Sequence, residues 1–280
     1  MTRTAIITGA TRGIGRSIAL QLGQEGYRVI VNGTKQRLID EVVREIHESG
    51  GEAMGYCADI ADASAVTAMV DAVTAKFEFI DVLIHNAGIV RDRRCLEMTD
   101  EEWQAVLNVH LNGAFYCIRR VLPHFPERGG DILLMTSTAG CQGSVGQVNY
   151  SAAKAGMLGI VWTLAAELRR QKIRVNAISP AALTDMTRPV IERIREKCAM
   201  RQEPFPVFWE VGEAEDVARF AAALLVQPDQ ELTGEIFGVN GSRICRWEKP
   251  RIDFSTEGPE SFFTAWRQGL KEREEEDAQI

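Results

Sequence analysis

The first strand of this chain is joined to its first helix by a glycine-rich turn, Thr8-Gly9-Ala10-Thr11-Arg12-Gly13-Ile14-Gly15. The first glycine permits a tight turn, the second lets the backbone approach a phosphate, and the third lets helix and strand pack closely. A helix that begins here offers unpaired N–H groups and a partial positive charge. The pattern therefore predicts a site for the pyrophosphate of a dinucleotide. Its predicted binding residues are Gly9, Arg12, Gly13, Ile14 and Gly15.

Beyond this turn, short apolar runs alternate with amphipathic helical patterns. The runs are typical of buried parallel strands, and they lie at residues 6–7, 29–31, 82–84, 132–134, 175–178 and 236–239. Between the runs, residues such as Ile14, Ile18 and Leu22 share one helical face. Strand–helix alternation implies right-handed crossovers. The sequence therefore predicts an α/β fold with a Rossmann-like, doubly wound parallel sheet of about seven strands.

A single domain and a C-terminal extension are predicted. The alternation ends near residue 242, so residues 1–242 form the predicted domain and residues 243–280 the extension. Apolar side chains such as Phe262 and Trp266 are too many for a solvated linker, so we expect the extension to fold against the domain or a partner subunit. Residues 185–213 are a long insertion with prolines and many charges, and they are predicted to form a lid.

The bulk composition argues against several classes of partner. The formal net charge of −7 disfavours a nucleic-acid partner, because phosphate contacts need clustered Lys and Arg. No apolar run approaches the roughly 20 residues that span a bilayer, so no membrane partner is expected. The six cysteines form no C-x-x-C pair and no His/Cys cluster. No metal site is therefore predicted, and reduced thiols in a cytoplasmic protein are expected.

Three residues form a candidate proton-transfer site. Tyr150 and Lys154 are four residues apart, so they stand on the same face of a predicted helix. A phenol has a pKa of about 10, and a neighbouring ammonium is expected to lower the pKa of Tyr150. Ser137 follows the strand at residues 132–134, at the end that faces a ligand crevice, where its hydroxyl can hold a reacting oxygen. The Tyr–Lys spacing alone would equally describe a solvent-facing pair.

The end of the second predicted strand bears on the choice of dinucleotide. An acidic residue there would bind the ribose hydroxyls of NAD, but this chain has Asn32 and no acid. Arg12 and Lys35 lie in position to attract a 2′-phosphate. The sequence therefore favours NADP, with NAD possible if Asn32 hydrogen-bonds the ribose and Lys35 is merely solvated.

The motifs, in this order, resemble the short-chain dehydrogenase/reductase family over residues 1 to about 242. The matching segments are Thr8 to Gly15, Asp59-Ile60, Asn86-Ala87-Gly88, Ser137, Tyr150 with Lys154, and Pro180 to Thr184. The resemblance implies that Asp59 and Ile60 frame the adenine and that Asn86, Ala87 and Gly88 support the cofactor cleft. It also implies that Lys154 binds the nicotinamide ribose and that Thr184 contacts the nicotinamide.

One residue of the catalytic set departs from the family pattern. The family usually has an Asn that relays protons, and counting from Trp103 places His110 at that position. An imidazole can also relay protons. The resemblance therefore implies a relay role for His110, and a packed structural histidine is the alternative.

Residues 86–93, 109–115 and 146–154 are similar to β-ketoacyl thioester reductases and to (3R)-hydroxyacyl-CoA dehydrogenase domains of multifunctional enzymes. This implies an NAD(P)-dependent oxidoreductase that interconverts a ketone and a secondary alcohol, with a 3-oxoacyl thioester or a similarly apolar ketone as substrate. A hydroxysteroid or other bulky secondary-alcohol dehydrogenase is one alternative. Another is a non-catalytic dinucleotide-sensing regulator, which would not need Ser137, Tyr150 and Lys154. The family pattern also implies a homodimer or homotetramer built through residues 100–124 and 149–170.

Overall fold

The computed structural model describes residues 2–277 and, within them, the side chains up to residue 268. Its contacts divide the chain into two compact units, Met1–Trp247 and Glu248–Ile280. The strands of the first unit are Thr4–Thr8 (β1), Arg28–Gly33 (β2), Glu52–Cys57 (β3), Val82–His85 (β4), Gly130–Met135 (β5), Ile173–Leu183 (β6), Gly212–Glu213 (β7), Ile236–Asn240 (β8) and Arg243–Trp247 (β9).

Among the described residues, these strands form one nine-stranded sheet in the order β3-β2-β1-β4-β5-β6-β8-β9, with β7 paired to β6 outside that order. The seven strands from β3 to β8 in this order are parallel, and β9 runs antiparallel to β8. The strand order reverses between β1 and β4, which is where ligands bind in open α/β sheets. The predicted doubly wound sheet of about seven parallel strands is confirmed.

Helices cover both faces of the sheet. Their bounds are Gly13–Gln24 (α1), Gln36–Glu48 (α2), Ala63–Lys76 (α3), Asp100–Leu107 (α4), Gly113–Val121 (α5), Thr138–Gln142 (α6), Val148–Glu167 (α7), Arg188–Arg201 (α8) and Ala214–Leu225 (α9), with Pro259–Asp277 (α10) in the second unit. One apolar core lies beneath α1, α2 and α9, and the other beneath α3, α5 and α7. The predicted face of α1 is buried through Ile18 and Leu22, both fully inaccessible.

Three strands of the sheet were not predicted, and the shortest is β7, which pairs with the end of β6 through Gly212 and Glu213 only. The edge strand β3 lacks the apolar run of its neighbours, and its residues are only partly buried because one side has no neighbouring strand. The third is β9, which pairs residue by residue with β8 from Ile236 opposite Trp247 to Asn240 opposite Arg243. The sheet therefore continues to Trp247, five residues beyond the predicted domain end, because the chain turns back on itself at residues 241–242.

The second unit contains α10 and the segment before it. Within it, the ring of Phe254 stacks on that of Phe262 at 5.0 Å, while Phe263 and Trp266 stay about half exposed. That the extension folds against the domain or a partner subunit stays a prediction. No helix in the described range is long and apolar enough to cross a membrane.

Candidate active site

The glycine-rich turn has the backbone that a phosphate cradle requires. Gly9 has a φ of +63°, and a Cβ there would lie 2.7 Å from the Cα of Ala87. At Gly15 a Cβ would lie 2.3 Å from the carbonyl oxygen of Gly9, so the helix and the turn touch directly. Arg12, which precedes α1, forms no side-chain cap, so no side chain occupies the positive end of the helix there. The cradle thus fits the pyrophosphate of a dinucleotide.

A cavity of about 690 Å³ extends from this turn along the carboxyl ends of the parallel strands. Most of the predicted site residues line it: Gly9, Arg12, Gly13, Ile14, Asn32, Asp59, Ile60, Asn86, Ala87, Gly88, His110, Tyr150, Lys154 and Thr184. Gly15 and Ser137 are the predicted residues that do not line it. Gly15 is buried beneath the turn, and Ser137 is the N-cap of α6 beside the cavity. The structure therefore gathers residues from seven separate segments around one space.

Burial controls the protonation of Tyr150 and Lys154, which share one face of α7. The Lys154 ammonium lies 5.5 Å from the centre of the Tyr150 ring and donates to the backbone carbonyl of Met135. Burial lowers the pKa of Lys154 to about 7. Burial also raises the pKa of Tyr150, and the nearby Ser137 hydroxyl only partly opposes that shift. The expectation that Lys154 lowers the pKa of Tyr150 is therefore wrong here, because desolvation of the phenolate is the larger effect.

The position of Ser137 leaves its hydroxyl hydrogen available. Ser137 is extended, with a φ of −161°, and it is the N-cap of α6. Its Oγ accepts the N–H of Ala139 at 3.2 Å. Because that bond uses a lone pair of the oxygen, the O–H can still donate to a ligand.

His110 occupies a π-helical turn, Asn108–Asn112, between α4 and α5. Its ring meets the Tyr150 ring edge-on at 5.1 Å, and its Nε2 lies 2.8 Å from the carbonyl oxygen of Ile89. The Nδ1 atom is buried and has no partner among the described residues. Burial, with the charge of Lys154, lowers the pKa of His110 well below its ordinary value, so the imidazole is neutral. One ring nitrogen thus holds the ring in place while the other is left unpaired in the cavity wall.

His85 is a buried residue that sequence reasoning missed. The Thr8 hydroxyl accepts the N–H groups of Asn86 and Ala87 at 3.1 Å each, so it donates to His85 Nδ1 at 3.3 Å. His85 Nε2 must then carry the hydrogen, and it donates to the carbonyl of His110 at 3.1 Å. Burial lowers the pKa of His85 to about 3, so the imidazole ring stays neutral. The available signal was a histidine directly before Asn86 at a strand end.

Asn149 is a second missed residue, and it fixes the start of α7. Its side chain is fully buried. Its Nδ2 donates to the carbonyls of Arg91 and Glu102 at 3.0 and 3.2 Å, and its Oδ1 accepts the N–H of Tyr150 at 2.7 Å. The sequence signal was a polar residue at an inward-facing position beside Tyr150.

Asn32 is engaged differently from its predicted role. It is only 1% exposed, and its Nδ2 donates to the backbone carbonyls of Tyr56 and Ala58 at 3.2 and 3.1 Å. The amide therefore ties β2 to β3 and the loop after it, and it does not point its N–H groups at a ribose. Arg12 and Lys35 are both exposed at the rim of the cavity. No group of three or more metal-ligating side chains occurs among the described residues.

Known proteins are similar to this chain in sequence and in fold. A family model described as short chain dehydrogenase matches residues 3–195. The 3-oxoacyl-[acyl-carrier-protein] reductase of Staphylococcus aureus (strain Mu50) is 40% identical over 245 residues, covering 86% of this chain and 98% of that protein. The corresponding reductase of Thermotoga maritima is 36% identical over 244 residues, covering 86% and 98%. A crystal structure of a short chain dehydrogenase from Mycobacterium avium superposes with a TM-score of 0.78 at 32% identity, covering 96% of this chain and 94% of that one.

The chain belongs to the short-chain dehydrogenase family. It is an NAD(P)-dependent oxidoreductase of that family.

Proposed function

We propose that this protein interconverts a 3-oxoacyl thioester and the corresponding 3-hydroxyacyl thioester with NADP as its cofactor. The observation that carries the proposal is the arrangement of Tyr150 and Lys154 in the wall of the cavity with Ser137 beside them. The relatives named as 3-oxoacyl-[acyl-carrier-protein] reductases support the choice of substrate.

Ser137, Tyr150 and Lys154 have different roles in the reduction. When bound, a reduced nicotinamide would supply the hydride to the carbonyl carbon. Ser137 uses its free O–H to hold the carbonyl oxygen, where negative charge develops. Tyr150 donates its proton to that oxygen. Because burial raises the pKa of Tyr150, the phenol keeps this proton at neutral pH until the alkoxide forms.

Lys154 and His110 supply the next proton. With a pKa of about 7, Lys154 exchanges between ammonium and amine at neutral pH, so it can pass a proton towards the tyrosine side of the cavity. The His110 ring packs edge-on against Tyr150 in the same wall, and its Nδ1 has no partner among the described residues. We assign His110 as the relay between Lys154 and water.

The preference for NADP rests on charge at the rim of the cavity. The end of β2 carries no carboxylate that would repel a 2′-phosphate, and Arg12 and Lys35 are exposed at that rim. A guanidinium binds phosphate through two parallel N–H groups, so Arg12 is the main phosphate ligand of the proposal.

A spectrophotometric assay of NADPH oxidation tests the proposed function. The substrates are acetoacetyl-N-acetylcysteamine, a small 3-oxoacyl thioester, and a panel of ketosteroids. Turnover of the thioester with weak or no turnover of the steroids is expected. Preference for a steroid would favour the bulky-alcohol dehydrogenase instead, and nicotinamide binding without turnover of any ketone would favour the sensing regulator.

We also propose that the protein acts in the cytoplasm and that it forms a homodimer or a homotetramer. The surface of α5 exposes Phe115 at 49%, which is consistent with a partner subunit covering it. Light scattering coupled to gel filtration would give the mass of the assembly, and a monomer would contradict this part.

A further inference from the structure

Helix α8 lies within residues 185–213, the predicted lid, and it carries a row of positive charge. Arg193, Lys197 and Arg201 are four residues apart, so they lie above one another on one helical face. At 1.5 Å per residue the row is about 12 Å long. All three side chains are exposed. We call these three residues the lid cation row.

The lid cation row has no carboxylate partner in the part of the chain whose side chains are described: none of its members occurs in an ion pair. Helix α2 differs, since Arg37 pairs with Glu41 at 2.6 Å and Arg44 with Glu48 at 3.7 Å. Like charges four residues apart destabilise a helix. The repulsion between neighbouring members of the row is therefore not relieved by ion pairs, which points to a role in binding something outside the helix.

The location of the row connects it with the active site. Asp185 and Met186 line the cavity, and α8 begins two residues later at Arg188. The same lid exposes apolar side chains at its surface, with Met200 77%, Val207 62% and Phe208 65% exposed. Exposed apolar residues together with a charged rim are typical of a surface that binds another protein.

We propose, on the basis of the proposed function, that the lid cation row docks an acidic carrier protein that presents the acyl thioester to the cavity. The chain has a net charge of −7, so most of its surface repels an acidic protein. Helix α8 is an exception, because Arg188 and Arg195 add to the row and only Glu192 and Glu196 oppose it within the helix. A straight row of about 12 Å, with exposed apolar side chains on the same lid, suits the surface of a protein better than a single phosphate group.

Two substrates and two triple variants test the docking site. The substrates are the acetoacetyl thioester of the Staphylococcus aureus acyl carrier protein and acetoacetyl-N-acetylcysteamine, which has no carrier. The row variant is R193Q/K197Q/R201Q, and the matched control is R37Q/R44Q/R169Q. Each removes three exposed cations and takes the net charge from −7 to −10. Circular dichroism melts verify that both variants are folded.

The row variant is expected to raise KM for the carrier-bound substrate by about tenfold or more at low ionic strength, with kcat unchanged. Its KM for the small thioester should stay at the wild-type value, and the control variant should resemble wild type on both substrates. The difference between wild type and row variant should shrink as salt is added, because salt screens exposed charges.

Three results would overturn the docking site: no change in KM for the carrier-bound substrate, an equal rise in both variants, or an equal rise for the small thioester. Acetoacetyl-CoA is assayed as a third substrate, and a rise in KM seen only with it would assign the row to nucleotide phosphates and would also overturn the docking site. If wild type reduces no thioester, the proposed function fails by itself. Calorimetric binding of the holo carrier protein to wild type and row variant then still decides whether the row docks it.

Discussion

Tyr150 and Lys154 both lie where burial penalises charge. The pKa of Tyr150 is raised and that of Lys154 is lowered to about 7. At neutral pH the phenol therefore holds its proton, and the lysine can give or take one. These are the protonation states that reduction of a ketone needs, because the product alkoxide must be protonated as it forms.

Replacing Tyr150 with Phe should abolish most turnover while cofactor binding persists. The substitution keeps the ring that packs against His110 and removes the transferable proton. A loss of about 10²- to 10⁴-fold in kcat is expected, measured by NADPH oxidation alongside a fluorescence titration of NADPH. Tyr116→Phe removes a phenol outside the cavity lining and is the matched control. A near-normal rate for Tyr150→Phe would contradict the mechanism.

Lys154→Met should stabilise the fold below about pH 7 while removing activity. Below pH 7 both the folded and the unfolded chain bind the lysine proton, and the folded chain carries the full penalty of a buried charge. Between about 7 and the ordinary value of 10.5 only the unfolded chain keeps the proton, so the stability of wild type rises with pH. The gain in melting temperature for Lys154→Met should therefore be larger at pH 6 than at pH 9. If the gain in melting temperature instead grew with pH, the pKa of the buried Lys154 amine would not be lowered.

Arg12→Ala should weaken NADPH far more than NADH. Only NADPH carries the 2′-phosphate, and losing one charge-assisted hydrogen bond corresponds to roughly ten- to a hundredfold in affinity. The measurement is KM for each cofactor. Asn32→Asp is a poor probe of this choice, because the new carboxylate would face the carbonyls of Tyr56 and Ala58 and should cost about 1–3 kcal/mol of stability. Equal KM changes for both cofactors in Arg12→Ala would place Arg12 outside the phosphate site.

Among the elements, β1, β4 and the π-helical turn are linked by one chain of hydrogen bonds. It runs from the Thr8 hydroxyl through the His85 ring to the carbonyl of His110. A π-helical turn inserted between α4 and α5 disturbs the regular backbone bonding, and such turns are frequent at functional sites. His85 satisfies one carbonyl of the turn and so helps to hold the His110 ring against Tyr150.

His110→Asn should fold and keep activity, since the amide is shorter but also able to accept and donate hydrogen bonds. His110→Ala removes the ring whose Nδ1 is unpaired, and it should shift the pH profile of kcat as well as lower the rate. The comparison of both profiles across pH 5.5–9 is the measurement. A profile for His110→Ala that overlays wild type would leave His110 as a packing residue only.

Local sequence patterns predicted the helices, strands and turns of this protein, but they did not predict the hydrogen bonds between residues far apart in the chain. The glycine turn, the strand runs and the spacing of Tyr150 and Lys154 depend on neighbours in sequence, and all appear as predicted elements. The bond from His85 to His110 joins residues 25 positions apart, and Asn149 bonds to carbonyls of Arg91 and Glu102 even farther away. No local pattern encodes such pairs. The sign of the Tyr150 shift was missed for the same reason, because burial is a property of the folded chain.

At the scale of the whole molecule, a buried ion network joins the amino ends of the strands, on the edge opposite the active site. Asp131 on β5 pairs with Arg174 on β6 and with Arg3 before β1, at 2.6 Å in each case. Arg174 is only 4% exposed and also donates to backbone carbonyls at the end of α9. The network therefore connects β5 and β6 with the residue before β1 and with the end of α9.

Asp131→Ala should destabilise the fold without altering the chemistry. It would leave the buried guanidinium of Arg174 without its counter-charge, a loss of about 3–5 kcal/mol. Urea denaturation followed by circular dichroism gives the change in unfolding free energy. At a temperature where the variant stays folded, its kcat should match wild type. A loss below about 1 kcal/mol would mean that backbone carbonyls or water compensate the charge.

Strand β9 forms the outer edge of the sheet and covers β8. It carries the exposed residues Arg243 and Arg246, whereas β8 contributes Ile236, Phe237 and Val239 to the sheet. Charged side chains on an edge strand discourage another chain from adding to it. A chain that ended before Arg243 would leave the apolar β8 as an open template, so its main hazard in storage would be aggregation through added strands.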